Sequence, residues 1–144
     1  MTSPRNPARS DRWLRAIGYG LLAEISTIVT IIVVTVLYRY VFVRGLTSAE
    51  YELFNTRVGA VVGIVGGTLY TFLFAQRLMR YVSARFVAHG VVVALAAVAL
   101  SVGGSIAGHH GVPSGYLLAS GLKIVVGALA GYLAIKGGAQ QRLA

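Results

Sequence analysis

The chain contains no cysteine, and only four of its 144 residues are acidic. The absence of cysteine excludes disulfides, thiolate metal sites and cysteine nucleophiles. Charged residues of both signs make up 12% of the sequence, which is about half of the share found in ordinary soluble domains. The sequence also lacks a nucleophile–base–orienter set, a phosphate-binding loop and a zinc-protease helix motif. We therefore expect no enzymatic activity, no cofactor and no bound metal.

The basic residues are numerous but are not gathered on one face. The formal net charge is +9, a value that can indicate a nucleic-acid partner. Most of the arginines and lysines instead flank apolar runs, which is the distribution found at the ends of membrane helices. We therefore predict a lipid bilayer as the partner of these charges and no nucleic acid.

Four apolar runs account for most of the sequence. They are Leu14–Leu37, in which Glu24 is the only acidic residue, Val58–Ala75, Phe86–Gly108 and Tyr116–Ile135. Each has about 18 to 24 residues, enough for a helix to cross a hydrocarbon core of roughly 30 Å. The alternating polarity of a membrane β-barrel is absent. The sequence therefore predicts an all-α fold, an integral membrane four-helix bundle.

We predict helices at about residues 14–38, 56–77, 85–108 and 115–136, within a transmembrane domain of residues 13–138. Residues 1–12 are predicted to form a disordered basic tail, and residues 139–144 a short C-terminal tail. In the first loop, Thr47 and Glu50 have the spacing of a helix-capping box. We therefore expect the second helix to extend out of the membrane from about residue 48.

The distribution of basic residues predicts the orientation of the helices. Nine lie on the side of the two chain termini: Arg5, Arg9, Arg12, Arg15, Arg77, Arg80, Arg85, Lys136 and Arg142. Three lie in the first loop on the other side: Arg39, Arg44 and Arg57. Basic residues are enriched in cytoplasmic loops. Both termini are therefore predicted to be cytoplasmic, in the cytoplasmic membrane of a bacterium.

Glycine is the residue expected to set helix packing. Lipid tails are as apolar as leucine, so membrane helices associate through close packing of small residues. The sequence repeats glycine at small-xxx-small spacing, and we predict helix contacts at Gly59, Gly63, Gly66, Gly104, Gly108, Gly127 and Gly131. Contacts within one chain and contacts between copies both remain open. A substrate path along the glycines of the second helix is the alternative interpretation.

Two ionisable residues lie inside the apolar runs. Glu24 is near the middle of the first helix, and Lys123 is in the fourth. At helical spacing, Glu24 shares a face with Thr27, Thr35 and Tyr38, and Lys123 shares one with Ser120. A rise of 1.5 Å per residue puts the two charges within roughly 5 Å of the same depth. The sequence thus nominates them as an intramembrane charged pair or a coupling site.

Three interpretations of these charges remain open. Lys123 can extend toward the membrane surface while Glu24 stays protonated. The two can form a structural ion pair, since an isolated charge at a helix centre costs about 3 kcal/mol. Alternatively, Glu24 exchanges a proton or a cation during transport.

The three histidines suggest no metal site. His109 and His110 are adjacent in the third loop, without another ligand at suitable spacing. We interpret them as part of a polar loop. His89 lies near the inner end of the third helix and is interpreted as a satisfied interfacial histidine, with a proton relay as the alternative.

The stretch GYGLLAEIST, residues 18–27, resembles the first helix of the small multidrug resistance transporters. Members of that family have four short helices, and a glutamate after an alanine in the first helix binds protons and drug cations. The resemblance implies that Glu24 is a shared proton and substrate site. This chain departs from the family in its long first loop, in Lys123 and in the lack of a tryptophan in the third helix. Its size is also similar to that of lipid-linked sugar flippases of the GtrA type, but their Asn- and Phe-containing helix-end motifs are absent.

Two classes of function remain. The first is a non-catalytic accessory or assembly subunit of a membrane complex, in contact with other membrane chains or with copies of itself. The second is a small proton-coupled transporter or flippase with Glu24 as its coupling carboxylate. We favour the accessory subunit, because no complete transport site is recognisable in the sequence.

Overall fold

In the computed structural model, residues 7–42, 45, 47–108 and 114–141 are described. The helices are α1 (Pro7–Leu37), α2 (Ser48–Val61), α3 (Gly67–Met79), α4 (Phe86–Ala107) and α5 (Ser114–Gln141). A π-helical segment, Tyr38–Phe42, extends α1, and a second one, Val62–Gly66, joins α2 to α3. None of these described residues forms a strand.

Within the described part of the chain, four helices are long and apolar enough to cross a membrane: Arg12–Val41, Ser48–Met79, Phe86–Ala107 and Gly115–Gly137. The second of these comprises α2, the π-helical segment and α3. The predicted all-helical chain with four potential membrane spans is therefore confirmed.

The first helix begins earlier than the sequence predicts. α1 starts at Pro7, so residues 7–12 are helical, whereas we predicted a disordered tail there. A proline suits the first turn because the amide hydrogen it lacks would have no partner within the helix. At the other end of the chain, α5 continues to Gln141. Residues 1–6 and 142–144, which the predicted tails include, lie outside the described residues.

The helices pack in the cyclic order α1, α4, α5, α3. α1 and α5 therefore occupy opposite corners of the bundle. α3 and α4 contact each other across the shorter diagonal. This arrangement places the faces that carry Glu24 and Lys123 toward the middle of the bundle, where both residues are buried.

The level of Glu24 and Lys123 divides the bundle into two halves. We call the half with both chain termini the basal half, and the half with the connections after α1 and α4 the apical half. The main cluster of buried apolar side chains lies in the basal half and consists of Ala16, Ala75, Leu78, Val82, Val93 and Ala130. The basal half thus contains the packed core.

The apical half is held by more local contacts. None of the 14 residues of α2, all of them described, is buried. The predicted capping box is present: the Thr47 hydroxyl accepts a hydrogen bond from the Glu50 amide at 3.4 Å, and the Glu50 carboxylate accepts one from the Thr47 amide at 2.8 Å. The Tyr38 ring stacks on Phe54 with ring centroids 3.5 Å apart. α2 is therefore stabilised by its cap and by this stacking contact.

Candidate functional site

Glu24 is buried in the centre of the bundle. It is 6% exposed, and its neighbours on the same face of α1, Ala23 and Thr27, are 1% and 2% exposed. This burial follows from the helical spacing of the small and polar residues on that face. The Thr27 hydroxyl donates to the Ala23 carbonyl at 2.9 Å, so its own hydrogen bond is satisfied within α1.

Lys123 reaches Glu24 from the opposite corner of the bundle. Its Nζ lies 2.5 Å from Glu24 Oε2, and the residue is 4% exposed. The similar depth of the two residues predicted such a pair. The structure joins them across the bundle interior, because both side chains are long enough to meet there.

Ser101 of α4 completes the polar cluster. Its hydroxyl donates to Glu24 Oε1 and accepts from Lys123 Nζ at 3.2 Å. Both carboxylate oxygens of Glu24 therefore accept a hydrogen bond. We define Glu24, Ser101 and Lys123 as the central triad. Ser101 was not among the predicted site residues, although a hydroxyl side chain deep in an otherwise apolar run was the available signal.

The second potential span contributes a glycine to the same place. A Cβ atom at Gly67 would lie 2.8 Å from Lys123 Cε and 3.7 Å from Thr27 Cγ2. The lack of a side chain at Gly67 therefore makes room for the lysine stem. All four potential spans meet at the central triad. The triad can neutralise its own charges and can fix the positions of the four helices relative to one another along the bundle axis.

The sequence predicts Gly66 as the packing residue, whereas Gly67 is the glycine that contacts Lys123. The local backbone explains this difference. We assumed regular α-helical spacing through Gly59, Gly63 and Gly66. Residues 62–66 form a π-helical segment, in which hydrogen bonds close over five residues and the faces rotate relative to an α-helix. A Cβ at Gly66 would meet only side chains of its own span, Val62 and Tyr70.

The other predicted packing glycines fall into two groups. Gly127 faces Gly90 and Ala94 of α4, and Gly131 faces the first turn of α4, with Val87 Cα 2.5 Å from the position of an added Cβ. By contrast, a Cβ at Gly59, Gly63 or Gly104 would meet no atom of the described residues outside its own helix within 4 Å. Within the described part of the chain, these three glycines therefore do not serve as contacts between helices.

The remaining predicted residues lie away from the central triad. Gly108 ends α4, where its amide donates to the Gly104 carbonyl at 3.0 Å. Thr35 and Tyr38 lie 11 and 14 residues after Glu24, which is about 16 and 21 Å farther along the helix. Ser120 is half-buried, one turn before Lys123 on α5.

Of the three histidines, the structure describes His89. His109 and His110 lie outside the described residues. His89 is 4% exposed and stacks on Trp13 with ring centroids 4.1 Å apart. Its Nδ1 lies 3.0 Å from the Arg85 carbonyl oxygen, whereas its Nε2 is buried without a hydrogen-bond partner. Among the described residues, one ring nitrogen of this predicted interfacial histidine thus has a hydrogen-bond partner and the other has none.

An apolar groove of about 390 Å³ lies between the second span and α5, lined by Ile64, Val65, Thr68, Leu69, Phe72, Leu122 and Val126. The buried hydroxyl of Thr68 has no hydrogen-bond partner among the described residues. A second cavity of about 160 Å³ lies at the basal end, lined by Arg12, Trp13, Ala84, Arg85 and His89.

Groups of three or more metal-binding side chains are not found among the described residues. In comparisons with known proteins, no protein-family model matches the chain. No curated protein and no solved structure matches it either. The function is therefore argued from the residues of this chain alone.

Proposed function

We propose that this protein is a small polytopic membrane protein that serves as a non-catalytic accessory or assembly subunit of a membrane complex. Large apolar side chains are exposed along all four potential spans, for example Ile32, Leu69, Leu95 and Val125. Such a surface suits a hydrocarbon environment, because exposed apolar area of this extent is rare on soluble monomers. The excess of basic residues on the side of the termini supports a cytoplasmic location for the basal end.

The observation that carries the assembly role is the open glycine surface of the apical half. A Cβ atom added at any of four glycines would meet no atom of the described residues outside its own helix within 4 Å. These are Gly59, Gly63, Gly103 and Gly104. Within lipid, glycine contributes to stability by allowing another helix to approach closely. In an interior helical position it otherwise costs about 1 kcal/mol relative to alanine. The open glycines Gly59 and Gly63, which are spaced i and i+4, are therefore best explained by a helix of another chain, whereas the open glycine Gly18 has no second glycine at that spacing.

The central triad supports a structural role for the buried charges. Both oxygens of Glu24 are engaged, one by Lys123 and one by Ser101. A carboxylate that exchanges protons must give up such partners during each cycle. Lys123 and Ser101 therefore favour a fixed link between helices over an exchanging site.

A small proton-coupled transporter or flippase is the second candidate. One specific feature favours it, namely that ionisable residues within membrane spans commonly mark ion or substrate pathways. Glu24 and Lys123 are such residues. In this scheme Lys123 would withdraw from Glu24 to let the carboxylate take up a proton.

The two candidates are separated by the composition of the gently purified protein. We would extract it from native membranes into nanodiscs and determine its mass by native mass spectrometry. The assembly role predicts a complex larger than one chain, which the change Gly63→Leu reduces to the single folded chain. Gly18→Leu is the matched control, because a Cβ at Gly18 also meets no atom within 4 Å but lies in the basal half.

A wild-type protein that is a single chain under these conditions would contradict the assembly role. Equal dissociation by both leucine variants would contradict it as well, since the effect would not be specific to the apical face. For the transporter, Glu24→Gln should leave the mass of the complex unchanged and abolish proton-driven uptake or efflux. A fully active Glu24→Gln variant would rule that candidate out.

A further inference from the structure

The basal cavity is a second polar site, separate from the central triad. Its wall residue Trp13 precedes Glu24 by 11 residues on α1, about 16 Å along the helix. Two arginines, Arg12 and Arg85, line it together with His89. In the sequence, Asp11 is the only acidic residue between the N-terminus and Glu24, and none lies after Glu52. The basal end is thus strongly electropositive and suited to an anion.

His89 supplies a buried polar group without a partner. Because Nδ1 lies 3.0 Å from the Arg85 carbonyl oxygen, which can only accept, Nδ1 carries a hydrogen. Among the described residues, Nε2 has no hydrogen-bond partner, although the residue is 96% shielded from solvent. Buried polar atoms nearly always have a hydrogen-bond partner, so an orphaned one calls for an explanation. Because Nδ1 carries the ring hydrogen, Nε2 is an acceptor, and a hydroxyl group of a ligand in the adjoining cavity would donate to it.

The start of α4 adds backbone donors. Arg85 is the N-cap residue, and its side chain makes no capping hydrogen bond. The first amides of a helix have no acceptor within the helix, and the N-terminus carries a partial positive charge. Oxyanions bind at such helix starts. α4 is 22 residues long, so its full dipole is available there.

The cavity is also held in place by its own contacts. Arg12 Nη1 donates to the Ser83 hydroxyl at 2.8 Å, which uses one of the five guanidinium N–H groups. The Arg85 backbone is left-handed, with φ 56° and ψ 40°, and such strain in a residue other than glycine tends to occur at functional sites. The two arginines are therefore positioned on the same side of the α4 start.

We propose that the basal cavity binds a phosphate oxyanion. Arg12 and Arg85 provide the opposing charge, and the first turn of α4 provides amide donors. Nε2 of His89 accepts a hydrogen bond from a hydroxyl group of the ligand, such as the P–OH group of inorganic phosphate or a glycerol hydroxyl of a phosphatidylglycerol headgroup. Arginine pairs with phosphate oxygens through charge-assisted and commonly bidentate hydrogen bonds. The phosphate can belong to a lipid headgroup or be free in solution. This ligand site is independent of the assembly role proposed above.

Trp13 is a built-in reporter for this site. It is the only tryptophan of the chain and it stacks on His89. We would place the full chain in phosphatidylcholine nanodiscs and record its fluorescence with increasing phosphatidylglycerol, and separately with added inorganic phosphate. We expect a saturable change in at least one arm. A change with the lipid alone identifies a headgroup site, and a change with inorganic phosphate identifies a free-anion site. No saturable change in either arm would overturn the proposal.

Matched variants test whether the cavity itself binds the anion. Arg85→Asn removes a charge, and the fold is retained because asparagine tolerates the left-handed backbone. We expect anion binding by this variant to be about tenfold weaker. Arg80→Gln removes an equal charge from the same end without lining the cavity, and binding should stay unchanged. Equal weakening by both changes would overturn the proposal in favour of diffuse surface charge.

His89→Phe tests the orphaned nitrogen. Phenylalanine keeps an aromatic ring against Trp13 and lacks Nε2. We expect weaker anion binding by this variant, while its unfolding temperature stays close to that of the wild type. Anion binding equal to that of the wild type would show that Nε2 does not contact the ligand and would contradict the proposed site.

Discussion

The basal and apical halves of the bundle use the same residue type in opposite ways. In the basal half, a Cβ at Gly20, Gly90, Gly127 or Gly131 would lie under 3.0 Å from backbone atoms of the neighbouring helix. In the apical half, Gly59, Gly63, Gly103 and Gly104 face open space. The glycines with close interhelical contacts therefore lie in the basal half, whereas this apical set, like Gly18 of the basal half, meets none of the described residues outside its own helix.

The central triad lies at the boundary between these halves. On its basal side the buried apolar cluster holds the helices together. On its apical side α2 has no buried residue, and its start depends on the capping box of Thr47 and Glu50. Most of the internal stability of this chain therefore resides in the basal half and in the triad, and the apical half depends more on what it contacts outside the chain.

Breaking the ion pair should have the greatest effect on stability. Glu24→Gln and Lys123→Met should each lower the free energy of unfolding by about 3 kcal/mol, because each leaves a buried charge or polar group without its partner. The double variant should recover most of this loss, since no unpaired charge remains. Unfolding in mixed micelles measures all three variants, and additive losses would show that the residues do not act as a pair.

A second prediction compares two glycines of the same helix. Gly90→Ala should destabilise the protein by about 2 kcal/mol, because its methyl group would collide with the Gly127 carbonyl on α5 and force the helices apart. Gly104→Ala should be neutral or stabilising by up to about 1 kcal/mol, because alanine favours the helix and nothing obstructs it. Equal losses of unfolding free energy for the two variants would contradict the distinction between the halves.

A smaller effect is expected at the third member of the triad. Ser101→Ala should lower the unfolding free energy by about 1 to 2 kcal/mol, because Glu24 Oε1 loses its hydroxyl donor while the ion pair stays intact. Ser120→Ala is the matched control on α5, where the residue is half-buried one turn from Lys123, and a change within about 0.5 kcal/mol is expected. A loss at Ser120 as large as that at Ser101 would contradict the assignment of Ser101 to the triad.

The sequence predicts those features of the fold and the site whose polarity differs from that of the residues around them. Four long apolar runs predict the four helices, and a capping motif predicts the start of α2. Glu24 and Lys123 stand out because charges are rare inside apolar runs. Their similar depth follows from the helical rise alone, which is why the sequence suffices to nominate the two residues as partners.

Other members of the site could not be derived from helix periodicity. The π-helical segment at residues 62–66 shifts the faces of the second span. A regular α-helical period therefore predicts Gly66 as the packing residue and misses Gly67. Ser101 carries no charge, and although its hydroxyl in an apolar run is a signal, its contact with Glu24 follows only from the packing order that places α4 beside α1. The pairing of Gly90 with Gly127 likewise depends on which helices are neighbours, which single-helix patterns do not specify.

The proposed contact between the apical glycine face and another membrane chain can be tested by single-site cross-linking. The chain has no cysteine, so Gly63→Cys and Gly18→Cys can each be labelled with a short diazirine in native membranes. We predict that irradiation links the label at position 63, and not the label at position 18, to a second chain or a second copy. The absence of adducts at position 63, or equal adducts at both positions, would contradict the proposed contact.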